Sequence, residues 1–294
     1  KIRPNIVHLI SLKPIILGGL ISFITPINSL IISVTGLGSM FIEKKYFFKI
    51  RKFFFNTLYK IIFKFPNIKV ILQNNSDLNY LIKESNLNKK KVKIIKGSGV
   101  ILNQFKFSKI PKNLPIILMA SRIISDKGVL EFINAIKYLK KNNFKGKFYL
   151  IGDIDHANPS AIKKSVVDLW KKEKIITYKN HQKNILKFIK KSTILVLPSY
   201  REGFPKILME AAACGRPVIT TNVPGCKDAV INKITGIIVP VKNHVALAKA
   251  IIDLCKNKNK LDRIGKAARK HAIKKFNIQD VVSKHLYIYN SLNN

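Results

Sequence analysis

From Ile116 to Thr221 the sequence alternates between short runs of β-branched and other apolar residues and longer amphipathic stretches. The runs 116–120, 147–151, 174–178, 194–197 and 218–221 predict strands, and 127–140, 160–172, 183–191 and 205–213 predict helices. Strands separated by helix-length connections can pair parallel, and a parallel sheet needs helices over both faces. The alternation thus points to an α/β, doubly wound sheet, whose ligand crevice lies beyond the carboxyl ends of its strands. Residues that carry chemistry should therefore follow strands. Helices at 243–256, 260–275 and 278–291 come next, the last with Val281, Val282, His285, Leu286 and Ile288 on an apolar face.

Strand-like runs at 5–9, 29–34, 69–73 and 92–96, again separated by helical stretches, predict a second parallel sheet, and 294 residues suffice for two domains. Gly97-Ser98-Gly99 and the polar 103–115 stretch, with Pro111 and Pro115, read as a linker. The expected organisation is 1–108, 109–275 and a C-terminal helix at 276–294 able to return to the first domain. Lys1 stands where Met would open a chain, and Pro4 to His8 reads as a loop entering a strand, so sequence is expected upstream.

Pro14 to Ile42 carries no charge, which invites a transmembrane reading. Pro26, Asn28, Ser29, Ser33 and Thr35 interrupt it, and a helix at 14–24, a turn at Thr25-Pro26 and a buried strand at 29–34 fit better. The net charge of +39 raises nucleic acid as a partner. Only seven of the 54 basic residues are Arg, however, and Lys is spread along the whole chain, so a drift in composition accounts for much of the charge. No helix-turn-helix or RNA-binding aromatic motif accompanies it, and anionic lipid satisfies the remainder as well. Cys214, Cys226 and Cys255 show neither CxxC spacing nor a His cluster, which argues against zinc or a disulfide framework and fits a reducing, cytoplasmic setting.

The densest signal is Pro198-Ser-Tyr-Arg-Glu-Gly-Phe-Pro-Lys-Ile-Leu-Met-Glu-Ala-Ala-Ala-Cys-Gly-Arg-Pro-Val218: strand, sharp loop, helix, strand. Pro205 suits the first helical position, Gly215 the left-handed helix end, and Pro217 blocks continuation. The unpaired amides around Gly203 and Phe204 favour an anion such as a diphosphate. Glu202 in the loop and Glu210 in the helix can accept hydrogen bonds from two sets of hydroxyls, although two Glu eight apart are also ordinary on a solvated helix. A second element, Ser121-Arg-Ile-Ile-Ser-Asp-Lys-Gly128, again follows a strand and sets two cations, Arg122 and Lys127, at its mouth.

These residues resemble the retaining family 4 glycosyltransferases of the GT-B fold, in which two Rossmann-like domains face each other across a cleft. The resemblance is strongest over 116–241, where the subgroup flavour of Tyr-Arg-Glu-Gly-Phe-Pro-Lys, Ala-Ala-Ala-Cys-Gly-Arg-Pro and Pro-Gly-Cys is similar to N-acetylgalactosaminyltransferases that extend undecaprenyl-diphosphate-linked glycans. It implies that Glu202 binds the donor sugar, Glu210 the ribose, and Arg122 and Lys127 the diphosphate. Ser121, Gly152, Asn180, Gly203, Phe204, Pro205 and Leu208 would complete the donor site. In Leu150-Ile151-Gly152-Asp153 the Gly lets a ligand approach the backbone, and Tyr178-Lys-Asn-His181 falls where the family contacts the base. Asn180 replaces the usual Gly, and tolerates a left-handed backbone. Asp228 replaces a usual Glu.

In the first domain the resemblance implies a strand-end His8 near the transferred sugar, Lys13 toward an acceptor phosphate, and Gly36 and Gly38 on the cleft wall. It implies a UDP-sugar co-substrate, no metal or other cofactor, and a polyprenyl-diphosphate-linked or other glycan acceptor. An epimerase or hydrolase of UDP-sugars on the same fold is the alternative activity, and a basic nucleic-acid-binding protein the alternative class. The segment 45–65 places 47, 50, 54, 58, 61 and 65 on an apolar stripe and 45, 49, 52, 56 and 60 on a polar one. Such a basic and aromatic helix suits the inner face of the cytoplasmic membrane, bound peripherally, and equally suits packing on the first sheet with a solvated Lys face.

Overall fold

The structure, a computed structural model, describes residues 3–38 and 46–293, with the side chains of residues 46–48 and 293 outside that description. Lys1, residues 39–42 of the uncharged segment, Lys45 and the Phe47 side chain thus lie outside the described residues. The chain forms two compact units. The first comprises Lys1–Gly99, Glu202–Phe204 and Ile278–Asn294, and the second Val100–Arg201 and Pro205–Asn277.

In the first unit β1 (Ile6–Ile10), β2 (Ser29–Val34), β3 (Ile68–Leu72) and β4 (Val92–Ile94) pair parallel in sequence order. Parallel neighbours joined in sequence order by right-handed crossovers place their connecting helices on one face. Those helices are α1 (Leu12–Ile21), α2 (Tyr46–Ile62) and α3 (Asn75–Ser85). The period-2 alternation of the strands is legible in the packing: Leu30, Ile32, Val70 and Leu72 join the helix-side core with Ile15, Tyr59, Ile62 and Leu81. Ile31 and Ile71 face the other way, onto Ile288 and Leu292. These last two belong to α11 (Ile278–Asn293), the closing helix.

The helix, turn and strand expected from Pro14 onward are present in the described part as α1 and β2, every residue of β2 being buried. Among the described residues no helix is long and apolar enough to cross a membrane. The apolar face of α11 differs from the expectation, and the stripe of α2, for which the sequence leaves membrane contact and core packing both open, is largely exposed. On α11 the inward residues are Val281, His285, Ile288, Tyr289 and Leu292, whereas Val282 and Leu286 are exposed. On α2 the core takes Tyr59 and Ile62, while Ile50, Phe54 and Ile61 of the expected apolar stripe are exposed. The helix is apolar on two faces, and its inward polar residues are satisfied there: Asn56 donates to Tyr80 at 2.8 Å and the Lys52 ammonium sits 4.8 Å from the Tyr80 ring centre. Periodicity alone could not choose between them.

In the second unit β5 (Ile116–Ala120), β6 (Lys147–Ile151), β7 (Thr177–Lys179), β8 (Ile194–Leu197), β9 (Val218–Thr221) and β10 (Gly236–Val239) form one parallel sheet. Its order is β10-β9-β8-β5-β6-β7. The connecting helices are α4 (Val129–Lys141), α5 (Lys164–Lys172), α6 (Ile185–Lys191), α7 (Lys206–Ala213) and the short α8 (Cys226–Ala229), followed by α9 (His244–Lys256) and α10 (Lys258–Lys275). Strand β10 was not expected, although Gly236-Ile-Ile-Val-Pro240 has the composition of a buried strand. The chain builds outward from β5 through β6 to β7, then returns to lay β8 on the other side of β5. Strand order therefore reverses between β5 and β8, which opens a crevice beyond their carboxyl ends.

Candidate functional site

The segments following β5 and β8 are the two that the sequence singles out. Ser121 and Arg122 come directly after β5, and Ser125–Lys127 form a single 3-10 turn that runs through Gly128 into α4. Gly128 has φ +75°, and a Cβ there would overlap the carbonyl of Pro198, the residue after β8. Only a glycine permits so close a passage of the two segments. Further bonds hold them together: the Tyr200 amide donates to Asp126 O at 2.9 Å and the Tyr200 hydroxyl to Glu131 at 2.6 Å. Burial first, and then the Glu131 carboxylate, push the Tyr200 hydroxyl far above its usual range, so it stays a donor.

Arg122 is exposed and paired with Asp155 at 2.7 Å. Asp155 lies beyond β6, where Gly152 takes φ +146° beneath Ser121 and a Cβ would overlap the Ser121 carbonyl. The same corner ties in the next strand, for Tyr178 donates to Gly152 O at 2.9 Å and the His181 amide to Asp153 at 2.9 Å. Asn180 is exposed and is not among the residues of positive φ, so the left-handed turn allowed for it is not used. Lys127 is half-buried.

Along α7, Pro205 is the capping residue one position before the helix and not its first residue, while Gly215 takes the expected left-handed φ of +73° past its end. Leu208 and Glu210 are buried, and the Lys206 ammonium stands 3.6 Å from the Glu210 carboxylate. Burial raises the Glu210 pKa, with Lys206 opposing it. A buried acceptor with one flanking cation suits hydroxyl donors from a ligand. Arg216, also in the motif, is fully buried and donates to the carbonyls of Ser108, Lys109, Ile189 and Lys190; it is a structural tie. Asp228 accepts from the Gly225 amide at 3.0 Å and fixes the start of α8.

The remaining expected residues lie in the first unit. Glu202 is half-buried, Gly203 and Phe204 are buried, and Asn74 donates to Gly203 O at 3.1 Å. Asn74 also caps α3, accepting from the Asp77 amide at 2.8 Å. Gly36, with φ +133°, lies against Gly203, whereas at Gly38, with φ +72°, a Cβ would meet nothing within 4 Å among the described residues. Lys13 is exposed in the first turn of α1. His8 lines a cavity of about 230 Å³ at the carboxyl end of β1 to β3, with Ser33, Gln73, Ser98 and His285. Both its ring nitrogens are engaged, Nε2 with Ser33 Oγ at 2.7 Å and Nδ1 with the Tyr289 hydroxyl at 2.8 Å.

The family described as glycosyl transferases group 1 matches residues 100–271, which spans the second unit with its switch-point segments. The chain belongs to the group 1 glycosyltransferases. It is 30% identical over 269 residues to the N,N'-diacetylbacillosaminyl-diphospho-undecaprenol α-1,3-N-acetylgalactosaminyltransferase of Campylobacter jejuni, covering 87% of this chain and 69% of that protein. It is 27% identical over 251 residues to the UDP-Gal:α-D-GlcNAc-diphosphoundecaprenol α-1,3-galactosyltransferase of Escherichia coli, covering 78% of this chain and 64% of that one. Among solved structures, sucrose-phosphate synthase from Thermosynechococcus elongatus superposes with a TM-score of 0.83 at 21% identity, over 98% of this chain and 73% of that one. The GT-B fold expected of two parallel α/β sheets is thereby found.

Sequence reasoning missed three positions in this group 1 glycosyltransferase: Asp155, which pairs with Arg122; Glu131, which anchors Tyr200; and Asn74, which holds Gly203. Asp155 and Glu131 sit in ordinary polar and amphipathic surroundings. Asn74 alone carried a local signal, an Asn with Asp77 three residues on at a helix start.

Proposed function

We propose that the chain transfers a sugar from a UDP-sugar to a lipid-diphosphate-linked glycan, with retention at the anomeric carbon. The observation that carries this reading is the reversal of strand order between β5 and β8, with Arg122 and Lys127 on one of the two segments beyond it. In the reading, these two cations meet the diphosphate and neutralise the charge that develops on it as it leaves. They take the part a metal ion would otherwise play. Glu210 accepts from the ribose hydroxyls and Glu202 from the sugar.

Retention follows from attack on the face that the leaving group vacates. The bond from the anomeric carbon to the phosphate oxygen breaks, the bond to the acceptor oxygen forms, and the acceptor proton passes to the leaving phosphate. The acceptor class rests on the Campylobacter jejuni and Escherichia coli relatives, both named for diphosphoundecaprenol substrates, and the nucleotide on the second, named for UDP-galactose.

A thermal-shift panel of UDP-, GDP- and ADP-sugars, followed by assay of the preferred donor with a polyprenyl-diphosphate glycan, tests the reading. Stabilisation by UDP-sugars and a product of unchanged anomeric configuration are expected. A preference for another nucleotide, or an inverted product, overturns the corresponding part. Conversion of the donor without acceptor would indicate the epimerase or hydrolase instead.

A further inference from the structure

Helix α2 lies between α1 and α3 in the helix layer of the first sheet, so its flanks are occupied and one face is left outward. At about 100° per residue, Phe55, Tyr59 and Ile62 share the inward side. Ile50, Phe53, Phe54, Thr57 and Ile61 gather on the opposite side. There Ile50 is 52% exposed, Phe53 75%, Phe54 58% and Ile61 41%. In the turn after α1, Ile24 is 85% exposed, and its neighbour Phe23 stacks edge-on against the buried Phe65, just past the end of α2, at 5.5 Å between ring centres.

Charge tells what such a face meets. From Lys44 to Ser76 there are eight basic residues and no acidic one. Lys49 and Lys60, both exposed, fall about a quarter turn from the centre of the apolar stripe, and Lys64 follows on the next turn. Lysines along the border of an aromatic stripe can reach phosphates while their stems lie on apolar surface. Protein interfaces are, by contrast, depleted in Lys.

We propose that the outward face of α2, with Ile24, is a docking surface for an anionic lipid bilayer. The helix lies in the plane of the headgroups, Phe53 and Phe54 enter the acyl boundary and Lys49, Lys60 and Lys64 meet the lipid phosphates. The surface carries this by itself and extends the proposed activity by putting the protein where a lipid-linked acceptor resides. It shares Ile50, Phe54 and Ile61 with the apolar stripe expected for this helix, and the docking side is the one that the core leaves free.

The test is co-sedimentation of the full chain with vesicles of phosphatidylglycerol or of phosphatidylcholine. Binding to phosphatidylglycerol is expected, weakening in high salt, with little binding to phosphatidylcholine. F53S/F54S should lower binding at least tenfold without changing Tm, and K49Q/K60Q/K64Q should remove its salt dependence. In a separate variant, Phe53→Trp, emission should shift to the blue on adding phosphatidylglycerol vesicles, against the constant background of buried Trp170. Absence of binding to phosphatidylglycerol, or binding that survives F53S/F54S, overturns the proposal. So does a dimer in solution that F53S/F54S dissolves, since the face would then serve a second copy. UDP-dependent stabilisation of the same variants is read separately, so loss of vesicle binding with donor binding intact separates this inference from the proposed activity.

Discussion

The two sheets are built from the same parallel crossovers, yet they place their polar residues differently. In the second, strand order reverses between β5 and β8, and Arg122 reaches solvent at the reversal with its side chain 57% exposed. In the first, the described strands run in simple order β1-β2-β3-β4, and the His8 ring at the sheet end is held by Ser33 and Tyr289 of its own unit. At the reversal the two segments stay tied to each other through Gly128, Pro198 and Tyr200, while Arg122, paired with Asp155, still faces solvent. Among the described residues at the end of the first sheet, His8 has both ring nitrogens engaged within its own unit. Under the proposed function, the difference says which sheet meets the charge of the leaving diphosphate.

The largest effect should therefore come from the reversal. Arg122→Ala or Lys127→Ala is expected to lower turnover by about 100-fold or more, since loss of a preorganised partner of developing charge typically costs about 3 kcal/mol. Circular dichroism should show both variants folded. Steady-state assays that find turnover intact in both would move the donor site away from the β5–β8 crevice and dissolve the contrast between the sheets. Asp155→Ala sharpens it: Arg122 would lose its bond but stay exposed, so a loss smaller than that of Arg122→Ala is expected in the same assay.

Next come the carboxylates. Glu210→Gln should weaken free UDP by roughly tenfold, the equivalent of about 1.4 kcal/mol, whereas Glu202→Gln should spare UDP and impair use of the sugar. Calorimetric titration of UDP into each reads the contrast, and equal losses would refute the division of roles. The same residue makes a stability prediction. Burial raises the folded-state pKa of Glu210, so between the ordinary carboxylate range and that raised value the folded chain holds more protons than the unfolded chain. Stability then falls as pH rises through this window, and above it Glu210 is a net cost. Glu210→Gln should raise Tm at neutral pH while weakening UDP, a trade of stability against binding.

The order of elements and the two loop segments could be read from the sequence because both depend on local pattern. Strand period, Pro217 and Gly215 are decided within a few residues. Tertiary partners could not be read so. The inward face of α2 meets partners distant in sequence: Tyr59 and Ile62 join Ile15 and Leu81, and Tyr80 receives Asn56 and Lys52 from 24 and 28 residues away. Asp155 became relevant only when the corner after β6 came beside β5. Strand β10 is no shorter than β8 and β9, but only the four-residue α8 and an irregular stretch separate it from β9, so the strand-to-long-helix alternation that marked the others is missing there.

A smaller effect tests the joint between the two segments. Gly128→Ala would put a methyl on the Pro198 carbonyl at φ +75°, and a strained left-handed residue costs about 1–3 kcal/mol. Denaturant melts should show that loss, and turnover should fall with it because Lys127 precedes this residue. A variant as stable as the original would mean that the segments can part, and the crevice would owe less to Gly128 than the packing implies.

The smallest effect probes the other side of the comparison. If His8 serves the packing of β1, β2 and α11, His8→Ala should lower stability by about 1 kcal/mol for each hydrogen bond lost and reduce turnover far less than Arg122→Ala does. The pH dependence gives an independent reading. Burial lowers the His8 pKa, and the neighbouring His285 ring, 6.2 Å away between centres, adds to the shift. As pH falls below the ordinary histidine value of 6.5, the unfolded chain takes up a proton at this position before the folded chain does. Stability should decline through the interval down to the lowered pKa and level off beneath it. His8→Gln, which keeps a hydrogen-bonding side chain but does not titrate, should flatten that part of the Tm-against-pH curve. A fall in kcat comparable to that of Arg122→Ala, with the melting curve unchanged, would instead assign His8 to the reacting centre and make both sheets contributors to the chemistry.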